Sequence, residues 1–261
     1  MVSRTLLKST LTLGLGVSAL LPVVLLAVWS FAGRWYFPAL WPSEWSVRAW
    51  QSVFSPTSQV WTALWGSLWV ASVTAVLGTA IALPAARALS LGTVRVKGLL
   101  SALLLAPLVL PSFASVMGIQ VIFIRLGLAD TRPGVVLAHL IPVVPYAVVL
   151  LGGVFGGYDA RLEGAARTLG ASRSQVFWRV TLPVILPGVL VSLLFAFLVS
   201  WSEYLLTLIV GGGQVLTLPL LLFSAVQGGD YAITGALSLL YIAPTLAVFA
   251  VIAPRVQGWR T

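Results

Sequence analysis

Ionisable side chains in this sequence are scarce and unevenly placed. Only 8% of the 261 residues are charged, and six of the charges fall between Tyr158 and Gly188: Asp159, Arg161, Glu163, Arg167, Arg173 and Arg179. A charged stretch between apolar runs must sit in water, where a soluble partner reaches it. Ordinary catalytic chemistry is missing. With no Cys there are no disulfides, thiolate–zinc sites or thiol nucleophiles. The single histidine, His139, supplies neither an HExxH nor a His-rich metal site. It lies about six residues into an apolar run, where a helix-packing hydrogen bond is preferred to a proton relay. No GxxxxGKS/T loop cradles phosphates, and no GxSxG elbow occurs. The remaining acid of interest is Glu203, in the segment Ser200-Trp201-Ser202-Glu203-Tyr204. A helix starting at 184 carries it up by roughly 28 Å. That depth leaves two readings open, a solvated outer-face carboxylate or a residue of a substrate path or gate.

The elements that position these residues are membrane spans. At 59% hydrophobic residues the chain carries more apolar surface than a water-soluble fold of this length hides. Six spans are expected, at roughly 9–33, 61–86, 98–124, 134–157, 184–208 and 232–253, each near or above the ~20 residues that cross a bilayer. The first follows Arg4 and Lys8, and its apolar run exceeds that of a cleavable signal, so it reads as a retained helix. With the N-terminus inside, eleven of the fifteen Lys and Arg fall on the cytoplasmic side, including those of the 158–183 loop. The net charge of +9 therefore reports topology and not nucleic acid. The segment 34–60, with Trp35, Trp41, Trp45 and Trp50 among Pro38, Pro42 and Pro56, reads as an interfacial cap in preference to a ligand site. Pro84, Pro107, Pro111, Pro142, Pro145 and Pro244 kink or interrupt spans, most densely at Pro107–Pro111, either for packing or to line a translocation path. Residues 215–226 are too short to span and read as re-entrant or interfacial.

In the charged loop, Leu162, Ala165, Ala166 and Leu169 recur at i, i+3, i+4 and i+7, a short helix with one smooth face and Arg161 and Arg167 off it. Gly170 is placed to end that helix. A second amphipathic piece, 172–180, leads to Leu182 and Pro183, where the next span opens. By periodicity alone this is equally an elbow lying on the inner leaflet or a docking surface.

The segment resembles the EAA loop of bacterial ABC importer permeases, E-A-A-x3-G-x9-I-x-L-P. Ala165, Ala166, Gly170, Leu182 and Pro183 match in type and spacing, and Val180 stands for the Ile. Gly164 occupies the Glu position, with Glu163 one residue earlier. GSLWVAS at 66–72, LAPLVLPSFASVMGI at 105–119 and FLVSWSEYLLTLIVGGG at 197–213 resemble further parts of such permeases. The resemblance implies an all-α integral membrane protein of six transmembrane helices with type I, MetI-like architecture. Residues 1–60 would form an N-terminal helix and outer loop, and 61–261 a five-helix core with the coupling loop at 158–183. It implies a multi-pass subunit of the bacterial inner membrane, N- and C-termini cytoplasmic, that is not an enzyme. Its partners would be an identical or homologous permease, two cytoplasmic ABC ATPases carrying ATP and Mg, and an extracytoplasmic solute-binding protein. This chain itself would bind no cofactor. Glu163, Gly164, Ala165, Ala166, Leu169, Gly170, Val180, Leu182 and Pro183 would couple to the ATPase, with the acid at 163 in place of 164 as the point of departure. Pro111, Ser112, Ser200, Trp201, Glu203 and Tyr204 would lie on the substrate path. The nearest branch handles polyamines such as spermidine and putrescine, with relatives for ferric iron, thiamine, phosphonates and molybdate; sugar import is the alternative. A secondary carrier is disfavoured because mid-membrane charges are scarce, and a membrane enzyme because no nucleophile–base pair or metal set exists.

Overall fold

A computed structural model describes residues 2–36, 38–92, 95–109 and 112–257. Twelve α-helices account for about three quarters of them: α1 (Val2–Ser30), α2 (Arg48–Phe54), α3 (Val60–Leu91), α4 (Lys97–Val109), α5 (Ser112–Arg125), α6 (Arg132–Gly156), α7 (Arg161–Thr168), α8 (Arg173–Val176), α9 (Leu182–Trp201), α10 (Leu205–Val210), α11 (Leu218–Gln227) and α12 (Tyr231–Gln257). Among the described residues four stretches are long and apolar enough to cross a bilayer: Val60–Leu91, Arg132–Gly156, Arg173–Trp201 and Tyr231–Val248. The first expected span falls on α1, and the third is divided between α4, which ends at Val109, and α5, which begins at Ser112.

The all-α membrane architecture holds, and one expectation is corrected. The fifth span does not run to 208: its helix stops at Trp201, and α10 starts afresh at Leu205. Glu203 Oε1 accepts the Leu206 N–H at 3.1 Å and so caps the new helix. A small ribbon accompanies the helices. Within the Trp/Pro-rich segment β1 (Ala32–Arg34) pairs antiparallel with β2 (Glu44–Trp45), Ala32 opposite Trp45 and Arg34 opposite Glu44. Ser43 and Ser46 N–H groups donate to the Arg34 and Phe31 carbonyls and close this small ribbon.

The chain divides into two compact units, 1–63 with 218–244, and 64–217 with 245–261. In the first, aromatic rings do the packing that aliphatic residues do elsewhere. Phe31, Trp50, Phe54 and Trp61 follow one another at centroid distances of 5.7–5.9 Å, and Trp29 meets Tyr231 at 5.5 Å. α1 and α12 approach backbone to backbone at Gly235, where a Cβ would lie 2.7 Å from the Leu26 carbonyl oxygen. Arg48 binds both carboxylate oxygens of Asp230 at 3.0 and 2.9 Å, and the same carboxylate accepts the Ile233 N–H at the start of α12.

The second unit is held by small residues on α3, α6 and α9. Ala82, Ala86 and Ala147 are fully buried with Leu151, Phe155 and Ile185, and Gly188 of α9 is so close to Val154 of α6 that no Cβ fits. Without a hydrophobic drive between helices in lipid, such close backbone approach is what dispersion needs. A second cluster joins Val70, Val116, Val135, Val136, Leu206 and Val210.

Candidate functional site

The polar segment after α6 is built almost entirely from local signals. Asp159 accepts the Arg161 backbone N–H at 3.0 Å and its Nε at the same distance, starting α7. The Arg161 guanidinium beside it, and then the Arg161 N–H, hold the Asp159 carboxyl below the usual carboxylate range. At the other end Gly170 has φ +86°, its N–H bonds the Arg167 carbonyl, and the Ala171 N–H bonds the Ala166 carbonyl. That pair of bonds is a Schellman ending, which requires the left-handed conformation glycine takes freely. Ser172 and Gln175 then exchange a capping box, with Ser172 N–H to Gln175 Oε1 at 2.8 Å, and open α8. Phe177–Thr181 forms a π-helical turn in which the Leu182 N–H reaches back five residues to the Phe177 carbonyl. Pro183 follows in the first turn of α9, as expected.

The outward side of this segment carries exposed apolar residues beside its arginines. Leu169 is 88% exposed, Leu162 45% and Trp178 64%; Gly164 and Ala165 are exposed and Ala166 half-buried. The smooth face anticipated from Leu162, Ala165, Ala166 and Leu169 therefore exists, and it points away from the chain's own core. Val180 and Leu182 are half-buried at the root of α9, where they shape the segment from behind, and Pro183 is exposed there.

Glu163 is placed differently from its sequence neighbours. It is buried, and its two carboxylate oxygens are taken by two different elements. Thr181 Oγ1 donates to Oε1 at 2.9 Å and Arg87 Nη2 of α3 donates to Oε2 at 2.6 Å, with Arg167 Nη2 at 3.9 Å. Tyr158 Oη in turn donates to Thr181 Oγ1 at 3.3 Å. Glu163, one residue before the motif position, is therefore turned inward. A one-residue shift turns a side chain roughly 100° around a helix, so moving the acid from 164 to 163 turns it inward. Arg87, Thr181 and Tyr158 were not singled out in the sequence. The signal for them was Glu163 itself, an acid displaced from the smooth face and so in need of internal partners.

The residues expected on a substrate path separate. At the α9–α10 junction Ser200 and Trp201 face the core. His139 of α6 bridges Ser200 Oγ through Nδ1 at 2.8 Å and Thr207 Oγ1 through Nε2 at 2.9 Å, the packing role expected of it. Trp201 stacks on Phe197 at 5.6 Å and is 2% exposed. Glu203 and Tyr204 are half-buried, Glu203 as the α10 cap. Pro111 lies outside the described residues; Ser112 is the first residue of α5. Among the described residues no group of acids and histidines is arranged to hold a metal.

Comparison with known proteins follows the same lines. Residues 78–258 match the family described as binding-protein-dependent transport system inner membrane component. The chain is 36% identical over 211 residues to the molybdenum transport system permease protein ModB of Mycobacterium tuberculosis, covering 75% of this chain and 78% of that one. It is 29% identical over 218 residues to the putrescine transport system permease protein PotI of Escherichia coli, covering 80% and 75%. Its backbone superposes with TM-score 0.72 on a chain of a bacterial ABC transporter involved in import of the acidic polysaccharide alginate, at 19% identity, covering 96% of this chain and 95% of that one.

Proposed function

We infer the working of this chain from one premise: it belongs to the family of inner membrane components of binding-protein-dependent transport systems. It is a permease subunit of an ABC importer. Work is done on it by a separate ATPase that grips the α7–α8 segment. The observation that carries this reading is the exposed apolar face of α7, Leu162 and Leu169 above all, on a helix fixed at both ends by local caps. Arg161, held by Asp159, and Arg167 stand at the rim of that face, where a docking helix carries its charges. The bias of Lys and Arg supports a cytoplasmic side for the segment and both termini. Gly164, Ala165 and Ala166 let the partner approach the backbone; Gly170 sets the shape of the ending; Val180, Leu182 and Pro183 join it to α9.

In this reading the permease pairs with a second one, identical or homologous, over two ATPases that hold the ATP and Mg, and a binding protein delivers the solute. Closure of the ATPases draws the coupling segments together and rocks the spans, a hinge-type transition. Residues 61–261 form the moving core. Half-buried Glu203 and Tyr204 line the path, and Ser200 and Trp201 support that lining from behind. The cargo is read as a small charged solute. A molybdate-like oxyanion is favoured by the ModB relative. Putrescine is the second reading, supported by PotI.

Purification of the chain with its neighbours tests the first part: a stoichiometric ATPase is expected, and its absence refutes the reading. Thermal shift of the cognate binding protein with molybdate, tungstate, putrescine, spermidine, ferric iron, thiamine, phosphonates and sugars tests the second. A shift confined to polyamines or sugars refutes the oxyanion.

A further inference from the structure

A buried carboxylate is expensive to hold and is kept only where each oxygen has a partner. Glu163 satisfies that condition with donors from well-separated parts of the chain. Arg87 stands 76 positions away at the end of α3, and Thr181 stands 18 positions away in the π-helical turn before α9. Tyr158, just past α6, secures the Thr181 hydroxyl. The three groups on Glu163 and Thr181 thus tie α7 to the ends of α3, α6 and α9. Because the two oxygens are held from two sides, α7 cannot turn about its own axis without breaking a charge-assisted bond. Nothing comparable holds the exposed face of α7, where Gly164 has no neighbouring atom within 4 Å of a would-be Cβ.

We infer that Glu163 is a positioning residue, the centre of an internal brace with Arg87 and Thr181 that carries displacement of α7 into the end of α3. This rests on the coupling reading above, and it assigns the acid a task inside the permease instead of at the ATPase surface. α3, which no short stretch of chain joins to α7, thereby feels the partner, and Arg87 is the link. Arg87 is the informative position, since its own side chain is 38% exposed and its loss takes one short bond from Glu163 while Thr181 and, at 3.9 Å, Arg167 remain beside the carboxylate. Thr181 is buried and makes the second link.

The experiment uses the whole complex with its ATPase in nanodiscs. The natural absence of cysteine makes single labels unambiguous. Spin labels are placed at Ala160→Cys beside α7 and at Ala88→Cys on α3, both exposed, each paired with Val121→Cys on α5 as reference. Distances are measured without nucleotide and with a non-hydrolysable ATP analogue and Mg. In the otherwise unchanged complex both labels are expected to move. In Arg87→Gln the α7 label still moves while the α3 displacement falls severalfold, and Arg87→Lys restores it. Thr181→Val, read the same way, covers the case in which Arg87→Gln fails to assemble. An α3 displacement unaltered in both variants overturns the brace and leaves docking intact. A silent α7 label in the unchanged complex overturns the docking reading itself.

Discussion

Leu169→Ala isolates docking from folding better than any other change in the coupling segment. Leu169 is 88% exposed in the chain, so truncating it removes almost no internal contact, and its thermal stability is expected to stay within about 0.5 kcal/mol. The three carbons removed carry about 2 kcal/mol when buried from water, at about 0.8 kcal/mol each and corrected for the small part already covered. Immobilising the leucine in an interface returns about 0.5–1 kcal/mol of that. The net loss is about 1–1.5 kcal/mol, or roughly a tenfold weaker grip by the ATPase. Titration of purified ATPase against nanodisc-embedded permease measures it, with Leu169→Ala, Leu162→Ala and the parent side by side. Leu162, 45% exposed, is expected to lose about half as much free energy. If the affinity for Leu169→Ala equals that of the parent, the exposed face is not the docking surface and the coupling assignment falls.

Further outcomes follow from particular contacts. Gly170→Val forces a β-branched residue into φ +86° and is expected to cost about 1–2 kcal/mol, seen as a lower melting temperature together with reduced ATPase binding. His139→Leu leaves the buried Ser200 and Thr207 hydroxyls facing an apolar group and is expected to cost about 1–3 kcal/mol, whereas His139→Gln retains part of it. At Asp230 burial alone would raise the carboxyl, but the Ile233 N–H and Arg48 outweigh it and bring it below the ordinary value. A carboxyl lowered in the folded state adds stability above its unfolded pKa and loses it as pH falls through the folded one. The parent is therefore expected to gain acid sensitivity only below about pH 4, and Asp230→Asn to lose that component of the melting profile.

Local chemistry made the coupling segment readable in advance. The periodicity of Leu162, Ala165, Ala166 and Leu169 and the glycine at 170 act within a few residues, and the helix, its face and its ending all follow from them. What closes around Glu163 was not readable, because Arg87 and Thr181 reach it only through tertiary packing. The break at 202–204 was hidden for a different reason. Ser202, Glu203 and Tyr204 sit among apolar neighbours, and a window long enough to recognise a span averages over a three-residue interruption. The ribbon of β1 and β2 was masked by its shortness, five residues in all, inside a segment whose tryptophans and prolines pointed to the interface. Path residues fared least well. A motif names Ser200 and Trp201 by position, but only the fold reveals that His139 and Phe197 turn them inward.

The wide turn at Phe177–Thr181 has a geometric consequence of its own. Its backbone bond spans five residues where a regular helix spans four, so the stretch contains one residue more than a straight continuation into α9 needs. The surplus is absorbed within the turn, and removing one residue there would return it to an ordinary winding and shift the side chains inside it, Thr181 and its bond to Glu163 among them. The wide turn thus belongs to the joint that holds the acid inward.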